Sequence, residues 1–276
     1  MSLKAFKETP PWEWPDGMCK RLLDVLRDPE SAESERLLAA ELAGDFTVIN
    51  DELADALLAQ LERSASSVAL RSQAALSLGP ILEHAHMEGF DDPDEVPVSE
   101  RTLRDAQVRL QAVYRDRGAP TLVRRRVLEA SVRAPQDWHI EAIRGAYGSD
   151  DPTWQLTAVF CMRFVRGFAE QILDALESQN NDVRGEALLA AGNWELDAAW
   201  PRVLALVTSE STEKPLRLAA IEALASIRPQ KAARVLSELT DSDDEDISEA
   251  VFEAIALAEG AAADDDDEYG GSGVLH

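Results

Sequence analysis

Cysteine is scarce in this sequence, which contains only Cys19 and Cys161 among 276 residues. The two lie far apart and lack the close spacing of metal-binding cysteines, so they offer neither a zinc motif nor a disulfide framework. Such sparing use of cysteine is typical of a reducing compartment. We therefore expect a cytoplasmic protein.

Long apolar runs are also missing. No stretch approaches the roughly 18 apolar residues that a helix needs to cross a bilayer. The N-terminal sequence MSLKAFKETPPWEW lacks the apolar region of a signal peptide. The sequence thus predicts neither a membrane span nor a secretory leader.

Basic charge is in short supply: 27 lysines and arginines face 52 acidic residues, for a formal net charge of −25. Thirteen acidic residues and no base lie between Asp241 and Glu268, whereas nine arginines and three acids lie between Arg101 and Arg133. Acidity repels nucleic acids and anionic membranes unless a local basic patch overrides it. We expect no membrane partner and disfavour nucleic acid. The Arg101–Arg133 patch could instead contact an acidic partner or the chain's own Asp-rich tail.

Recognisable catalytic motifs are missing as well: there is no Gly-rich phosphate loop, nucleophile elbow, Cys–His pair or HExxH sequence. His84 and His86 are two residues apart, so on a helix they would point in nearly opposite directions. The stretch DSDDEDISE lacks the glycine and the terminal glutamate spacing of a calcium loop. We predict no catalytic residue, no metal ligand and no cofactor, and hence a protein that is not an enzyme.

What the sequence does contain is a repeat. The segment NDVRGEALLAAG places Val183, Ala187, Ala190 and Ala191 at offsets i, i+4, i+7 and i+8, which form one face of an α-helix. Seven copies carry these offsets, and most lie 29 to 35 residues apart, with one interval of 53. Such a period indicates stacked repeats rather than a single closed core. The copies begin at Glu35, Leu70, Val123, Trp154, Val183, Leu216 and Ile247.

Each copy follows another apolar helical stretch, so the sequence predicts about seven helix pairs. Polar turns between the two helices supply residues, among them Asp182, that can cap the second helix. Gly44, Gly79 and Gly192 come one residue after the last apolar offset and are predicted to end that helix. The long interval is explained by a polar insertion at about 84–98.

The unit resembles a HEAT repeat, particularly the bacterial HEAT-like type first described in phycobiliprotein lyases, within the armadillo-like helical superfamily. The resemblance rests on Asp182, Val183, Arg184, Ala187 and Gly192, which match the turn, Val-Arg, alanine and glycine positions of that pattern. It implies an all-α fold, a right-handed α-α superhelix. It does not imply one activity, because this fold hosts many.

Three segments follow from the repeat boundaries. A Pro/Trp-rich segment, residues 1–17, precedes the repeats, and its tryptophans are expected to pack over the first copy. The HEAT-like domain covers residues 18–260. Residues 261–276 form an acidic tail, which we expect to be disordered.

Arginine recurs at the second position of five copies. The resemblance suggests a structural role, because in HEAT stacks this arginine commonly pairs with a turn aspartate of its own or a neighbouring unit. A ladder of phosphate contacts is the alternative. The ladder arginines are Arg36, Arg71, Arg124, Arg184 and Arg217.

Candidate binding residues come from arginines and tryptophans in the middle copies, since these types dominate binding surfaces. Three successive arginines on one helix diverge by 100° each, so at least one should face solvent. Trp194 lies outside the repeated pattern, and CMRFVRGF supplies two further arginines. Core packing is the alternative for the tryptophans. The candidates are Arg124, Arg125, Arg126, Arg163, Arg166, Trp138 and Trp194.

These features favour a non-enzymatic scaffold whose extended surface binds another protein. Two alternatives stay open. A lyase-like or DNA-glycosylase-like enzyme would use the concave groove, and it would need a deep pocket with a buried carboxylate. A nucleic-acid binder would use the Arg101–Arg133 patch, and its binding would be sensitive to salt.

Overall fold

The structure is a computed structural model that describes residues 3–92, 95–240 and 242–270. Within these ranges it contains fifteen α-helices, three short 3-10 helices and no β-strand. The predicted all-α class is confirmed, and the fold is an α-α solenoid. Among the described helices we find none whose length and apolar content would suit a membrane span.

Counted from α2, the helices form seven consecutive pairs, as predicted, and the second helix of each pair carries the repeated apolar offsets. The helices are α1 (Leu3–Phe6), α2 (Met18–Arg27), α3 (Glu33–Leu42), α4 (Asp51–Glu62), α5 (Val68–Glu88), α6 (Glu100–Arg115), α7 (Thr121–Ser131), α8 (Trp138–Tyr147), α9 (Pro152–Cys161), α10 (Ala169–Ala175), α11 (Asn181–Asn193), α12 (Trp200–Thr208), α13 (Lys214–Ile227), α14 (Pro229–Leu236) and α15 (Glu245–Gly270).

The chain divides into two compact units, Met1–Ala142 and Ile143–His276, which we call the N-terminal and C-terminal units. The division falls within α8. In the N-terminal unit α3 packs on α5 and α5 on α7; in the C-terminal unit α9 packs on α11, α11 on α13, and α13 on α15. In each unit, the second helix of one pair therefore packs on the second helix of the next pair. This is the contact pattern of a stacked array.

The repeated offsets form the cores of both units. Four positions in each of the seven copies carry the offsets, and they are buried except at Glu35, Trp154 and Ile255. Glu35 lies in the first copy and Ile255 in the last. The period of the pattern thus selects the buried face of every second helix, and the removal of this face from water stabilises the stack.

Polar turn residues cap several helices, as predicted. The side chains of Ser67, Asp151 and Asn180 accept backbone N–H groups in the first turns of α5, α9 and α11. Asp182 is not the cap of α11, because its own N–H donates to Asn180 (2.9 Å). It lies in the first turn, where its carboxylate favours the positive end of the helix dipole.

Three ladder arginines bind the end of the first helix of their own pair. In each, Nε–H donates to the main-chain carbonyl ten residues earlier. This carbonyl is one of the last four of the first helix, which receive no N–H group from their own helix. The positive charge also favours the negative end of the helix dipole. The predicted aspartate acceptor is wrong for Arg71 and Arg217. The three contacts are Arg71–Leu61 (2.7 Å), Arg124–Tyr114 (2.8 Å) and Arg217–Val207 (2.9 Å).

Arg36 and Arg184 occupy the same ladder position without this contact. The Nε atom of each is buried and has no acceptor among the described residues. In the first copy, the carbonyl of Leu26, ten residues before Arg36, accepts the Gln60 side chain instead. Arg184 donates through Nη1 to Asn181 (3.2 Å). The ladder is therefore a packing device with two incomplete positions.

The three glycines after the offsets serve close packing. Gly79 and Gly192 lie inside α5 and α11, so the prediction that they end these helices is wrong. A Cβ atom added at Gly44 would lie 2.6 Å from the carbonyl oxygen of Ser77, and one at Gly192 would lie 3.2 Å from Cα of Ala223. Ser77 and Ala223 are the third offset residues of the following copies. Glycine thus lets one second helix approach the next.

The segments outside the repeats differ from expectation in part. α5 continues through Glu88 and ends at Gly89, whose φ is +72°, so the first part of the 84–98 insertion is helical. α15 runs from Glu245 to Gly270, and the disorder expected for residues 261–276 stays a prediction. The remainder of the predicted tail, 271–276, lies outside the described residues.

The N-terminal segment packs on the first copy through one of its two tryptophans. Nε1 of Trp14 donates to the carbonyls of Phe6 (3.2 Å) and Thr9 (3.0 Å), and the ring packs against the buried core of the N-terminal unit. Trp12 is 80% exposed. The expectation of packing thus holds for Trp14 and not for Trp12.

Gly44→Ala should destabilise the protein, since the added methyl group would overlap the main chain of α5. Overpacking of this kind costs about 1–3 kcal/mol. The control is Gly185→Ala in α11, where an added Cβ meets no atom within 4 Å. Alanine is the better helix former there, so the control should gain up to about 1 kcal/mol. Urea unfolding measures both, and equal effects would contradict the close-approach role.

Arg71→Met should also lower the free energy of unfolding, because it leaves the carbonyl of Leu61 without its buried, charged donor. The loss of such a hydrogen bond costs about 1.5–3 kcal/mol. Arg184→Met changes the ladder position whose Nε has no acceptor, and it should cost clearly less. Thermal and urea unfolding of the two variants provide the comparison. A cost at position 184 as large as that at 71 would refute the capping role.

Candidate functional site

Three of the candidate residues come together in the C-terminal unit, where two turns meet. The chain leaves α9 at Met162 and turns through residues 162–167, and Gly167 adopts a φ of +99°. This turn carries Arg163 and Arg166. Trp194 follows directly on α11, which packs against α9. We call the surface formed by Arg163, Arg166 and Trp194 the Arg/Trp face.

Trp194 is fixed by the main chain. Its indole Nε1–H donates to the carbonyl of Met162 (2.6 Å), so the half-buried ring is held against the turn after α9. The guanidinium carbon of Arg166 lies 4.6 Å from the centre of the indole ring. Arg166 itself is exposed. The result is a cation–π pair with a fixed ring and an accessible cation, a contact that contributes about 0.5–1 kcal/mol at an exposed site.

Arg163 lies deeper and is only partly satisfied. Its guanidinium lies 5.5 Å from the ring centre of Phe160 and 5.6 Å from that of Phe164. Nη1 contacts Glu186 at 3.4 Å, which is long for a charge-assisted hydrogen bond. Nε is buried and lacks an acceptor among the described residues. Arg163 is thus held by ring contacts more than by its one carboxylate.

Glu195, next to Trp194, has an unusual backbone conformation. Its φ is +49°, the left-handed region that favours glycine. Its N–H donates to the Gly192 carbonyl, and the N–H of Leu196 donates to the Ala191 carbonyl, both at 2.9 Å. This pair of bonds is a Schellman motif, here with glutamate where glycine is usual. The motif ends α11 sharply and sets the direction of Trp194.

The arginines at 124, 125 and 126 belong to the N-terminal unit and are largely occupied. Besides its ladder contact, Arg124 lies over the Tyr114 ring, 5.4 Å from its centre. Arg125 is buried, and its Nη2 lies 3.9 Å from Glu129; Arg126 forms an ion pair with the same buried carboxylate. Arg124 and Arg126 are half-exposed and Arg125 is buried, so two of the three arginines reach solvent in part.

Carboxylates neutralise much of the Arg101–Arg133 patch. Arg109 binds three of them, Glu62 (2.7 Å), Asp55 (2.8 Å) and Asp105 (3.2 Å), and their hydrogen bonds raise the pKa of its guanidinium. Ion pairs also join Arg104 to Glu100 and Arg133 to Glu83. Arg101, Arg115 and Arg117 of the patch are exposed, and its contact with an acidic partner or with the Asp-rich tail stays a prediction.

Trp138 is packed within an aromatic group of the N-terminal unit. Its ring centre lies 5.0 Å from that of Tyr114 and 3.9 Å from that of His139, and its Nε1 donates to Gln136 (2.9 Å). The side chain is half-buried. Trp138 and Arg124 thus share Tyr114 as a contact, which joins two of the candidates in a structural cluster.

His139 is fully buried and electrically neutral. Its Nδ1 lies 2.9 Å from the N atom and 3.1 Å from the carbonyl oxygen of Gln136, and its Nε2 lies 3.0 Å from Oγ of Ser131. Burial lowers the pKa of His139 to about 4. The repeat pattern did not predict that His139 is buried, because the sequence around a single histidine does not reveal how deeply the residue lies in the fold.

The two histidines of the H-x-H sequence are separated by the geometry of α5. His84 bonds the carbonyl of Glu95 through Nε2 (2.9 Å) and meets the Phe46 ring edge-on at 5.3 Å. His86 lies two residues further along the helix. Among the residues the structure describes, no three His, Cys, Asp or Glu side chains come together as a metal site would require.

The residues that the sequence missed are the partners of the Arg/Trp face. Phe160, Phe164 and Glu186 fix Arg163, and Glu195 fixes the end of α11. The aromatics stand beside the arginines in the sequence, so this spacing was an available signal. The sequence carries no signal for Glu186 and Glu195, because their contacts depend on how α9 and α11 pack.

Comparison with known proteins first defines the class. Residues 169–268 match the family model of HEAT repeats. This match confirms the HEAT-like interpretation of the repeated unit, and the fold is a HEAT-like helical solenoid.

Individual proteins add less. The solved structure of human deoxyhypusine hydroxylase in complex with glycerol is similar to this chain with 16% sequence identity and a TM-score of 0.41, covering 91% of this chain and 87% of that one. A likeness of this degree carries no argument about activity. The comparison with curated proteins found no match.

Stability should fall as the pH drops below about 6.5, because the folded state excludes the proton from His139. The pKa of this residue is about 4 in the fold and about 6.5 in an unfolded chain. The unfolded state therefore gains protons first, so the contribution is fully present above pH 6.5 and is lost as the pH falls towards 4. Between pH 6.5 and 5 the loss is about 1.5 kcal/mol.

Urea unfolding at several pH values checks this, with His139→Asn as the control. Asparagine can still accept the Gln136 N–H but does not titrate, so its stability should change less over the same range. The other histidines are common to both proteins and cancel in the comparison. Parallel pH profiles of the two proteins would show that His139 does not carry the effect.

Proposed function

We propose that this protein is a non-enzymatic scaffold that binds another protein through the Arg/Trp face. The observation that carries the proposal is the exposed Arg166 stacked on Trp194, whose ring is anchored to the Met162 carbonyl. Arginine and tryptophan are the residue types on which binding energy concentrates. A ring fixed before association also loses little conformational entropy when the partner arrives.

Several features support a binding surface rather than a catalytic one. The cations of the Arg/Trp face contact aromatic rings and one carboxylate, Glu186. Among the described residues of this face there is no nucleophile hydrogen-bonded to a base, the arrangement that covalent catalysis uses.

A reducing compartment such as the cytoplasm suits the two cysteines, which are both free thiols.

The other candidates are better explained by packing. Arg124 closes its own helix pair, Arg125 and Arg126 share the buried Glu129, and Trp138 stacks within the Tyr114 group. Removal of these residues should affect stability first. We therefore restrict the proposed binding surface to Arg163, Arg166 and Trp194.

The charge reversal Arg163→Glu with Arg166→Glu should abolish recovery of the partner when the full-length protein is used as bait in cells. Helical content should be retained, because both residues lie in the turn after α9; the unfolding midpoint of each bait is measured as well, because Arg163→Glu places a second carboxylate beside Glu186. Quantitative mass spectrometry of the co-purified proteins, with circular dichroism of each bait, makes the measurement.

The matched control is Arg202→Glu with Arg234→Glu, which makes the same change in net charge elsewhere in the C-terminal unit. It should retain the partner. If the reversal at 163 and 166 leaves partner recovery as it is in the unaltered protein, the Arg/Trp face is not the binding surface. Loss in both double variants would assign the effect to net charge alone.

A further inference from the structure

We infer that the Arg/Trp face recognises an acidic segment of its partner protein, with an Asp or Glu carboxylate bound to the outer N–H edge of Arg166. This inference rests on the proposed function and adds the chemistry of the partner. The two guanidinium groups of the face have few hydrogen-bond acceptors for their N–H donors. An arginine side chain carries five N–H donors in one plane and has no acceptor.

Arg166 offers its donors to solvent. The guanidinium carbon of Arg166 lies over the Trp194 ring, 4.6 Å from its centre, and the residue is exposed, so its N–H donors can reach solvent. No carboxylate of the described residues lies within ion-pair distance of Arg166, although the chain has 52 acidic residues. The planar guanidinium matches a carboxylate, which can accept two parallel N–H bonds.

Arg163 shows that this face is short of acceptors rather than of donors. Among the described residues the face has one carboxylate within ion-pair distance, Glu186, which lies 3.4 Å from Nη1 of Arg163 and does not pair with Arg166. An apolar partner would cover these donors without replacing their water, which costs free energy. A basic partner would meet like charge. An acidic segment is the occupant that satisfies the donors.

The local charge favours a carboxylate over a phosphate. Glu186 balances Arg163, which leaves the single positive charge of Arg166. A carboxylate carries one charge and neutralises Arg166. A phosphoserine carries nearly two at pH 7 and would leave an uncompensated excess.

The acidity of the rest of the chain gives this contact specificity. With a net charge of −25, most of the surface repels an acidic segment. Attraction is therefore confined to places where arginine donors lack carboxylates, as at the Arg/Trp face. Repulsion elsewhere acts against wrong modes of binding.

The experiment titrates the ¹⁵N-labelled full-length protein with an acetylated, amidated tetraglutamate peptide and follows the indole N–H signal of Trp194. Tetralysine and a tetrapeptide with one phosphoserine are the comparison probes. We expect a saturable shift with tetraglutamate, none with tetralysine, and weaker binding as salt is added. Arg166→Ala should weaken binding at least about tenfold, as expected for loss of a charged hydrogen bond.

Two further variants sharpen the result. Arg166→Lys keeps the charge but loses the planar edge, so it should bind several-fold more weakly than the unaltered protein. Arg202→Ala, elsewhere in the same unit, should bind normally. If the Trp194 signal of the free Arg166→Ala protein is unchanged, the indole hydrogen bond to Met162 is intact. If that signal is displaced, the binding of Arg166→Lys is compared with that of the unaltered protein instead.

The inference is overturned by the absence of a saturable shift, by an equal response to tetralysine, or by a response that Arg166→Ala and Arg166→Lys leave unaltered. Binding of the phosphoserine peptide at least tenfold more tightly than tetraglutamate would also overturn it, in favour of a phosphorylated partner. If the peptide fails while the charge reversal still loses the partner, the scaffold proposal stands and only the acidic chemistry is wrong. If both fail, neither stands.

Discussion

The hydrogen bond from a ladder arginine to a carbonyl near the end of its own first helix ties the two helices together in three of the seven pairs. A pair of short helices joined by a tight turn leaves main-chain carbonyls unpaired beside the core, where water cannot reach all of them. Arg71, Arg124 and Arg217 satisfy one such carbonyl each at the same separation of ten residues. In these three pairs the arginine side chain thus joins the first helix to the second.

Once the pairs are closed, the distance between neighbouring second helices decides the rest of the packing. Alanine, serine and glycine at the contact allow close approach, and the contact of Gly44 with Ser77 is so tight that no Cβ would fit without movement. Close packing maximises dispersion contacts between successive copies. It also explains why the same small residues recur at the same offsets in copies that otherwise differ.

The Arg/Trp face lies where this regular packing is interrupted. The turn after α9 and the Schellman motif after α11 both depart from the repeated pattern, and the glutamate at φ +49° is a position where glycine would suit the backbone better. Local departures from the optimal residue tend to collect at functional surfaces. The face combines such a departure with Arg163, whose donors are poorly satisfied, and with the exposed Arg166.

The sequence by itself determined the class of fold, the seven pairs and the buried face of every second helix, because the 3.6-residue period and the length of the repeat depend only on local geometry. It also selected Arg163, Arg166 and Trp194 among the candidates. It could not show that a main-chain carbonyl, rather than an aspartate, receives Arg71, or that Gly192 provides room instead of a helix end. Both depend on which atoms a neighbouring helix brings near. Tertiary packing alone decided that Arg125 is buried and Arg166 accessible, since burial is a property of the assembled helices and not of the residue.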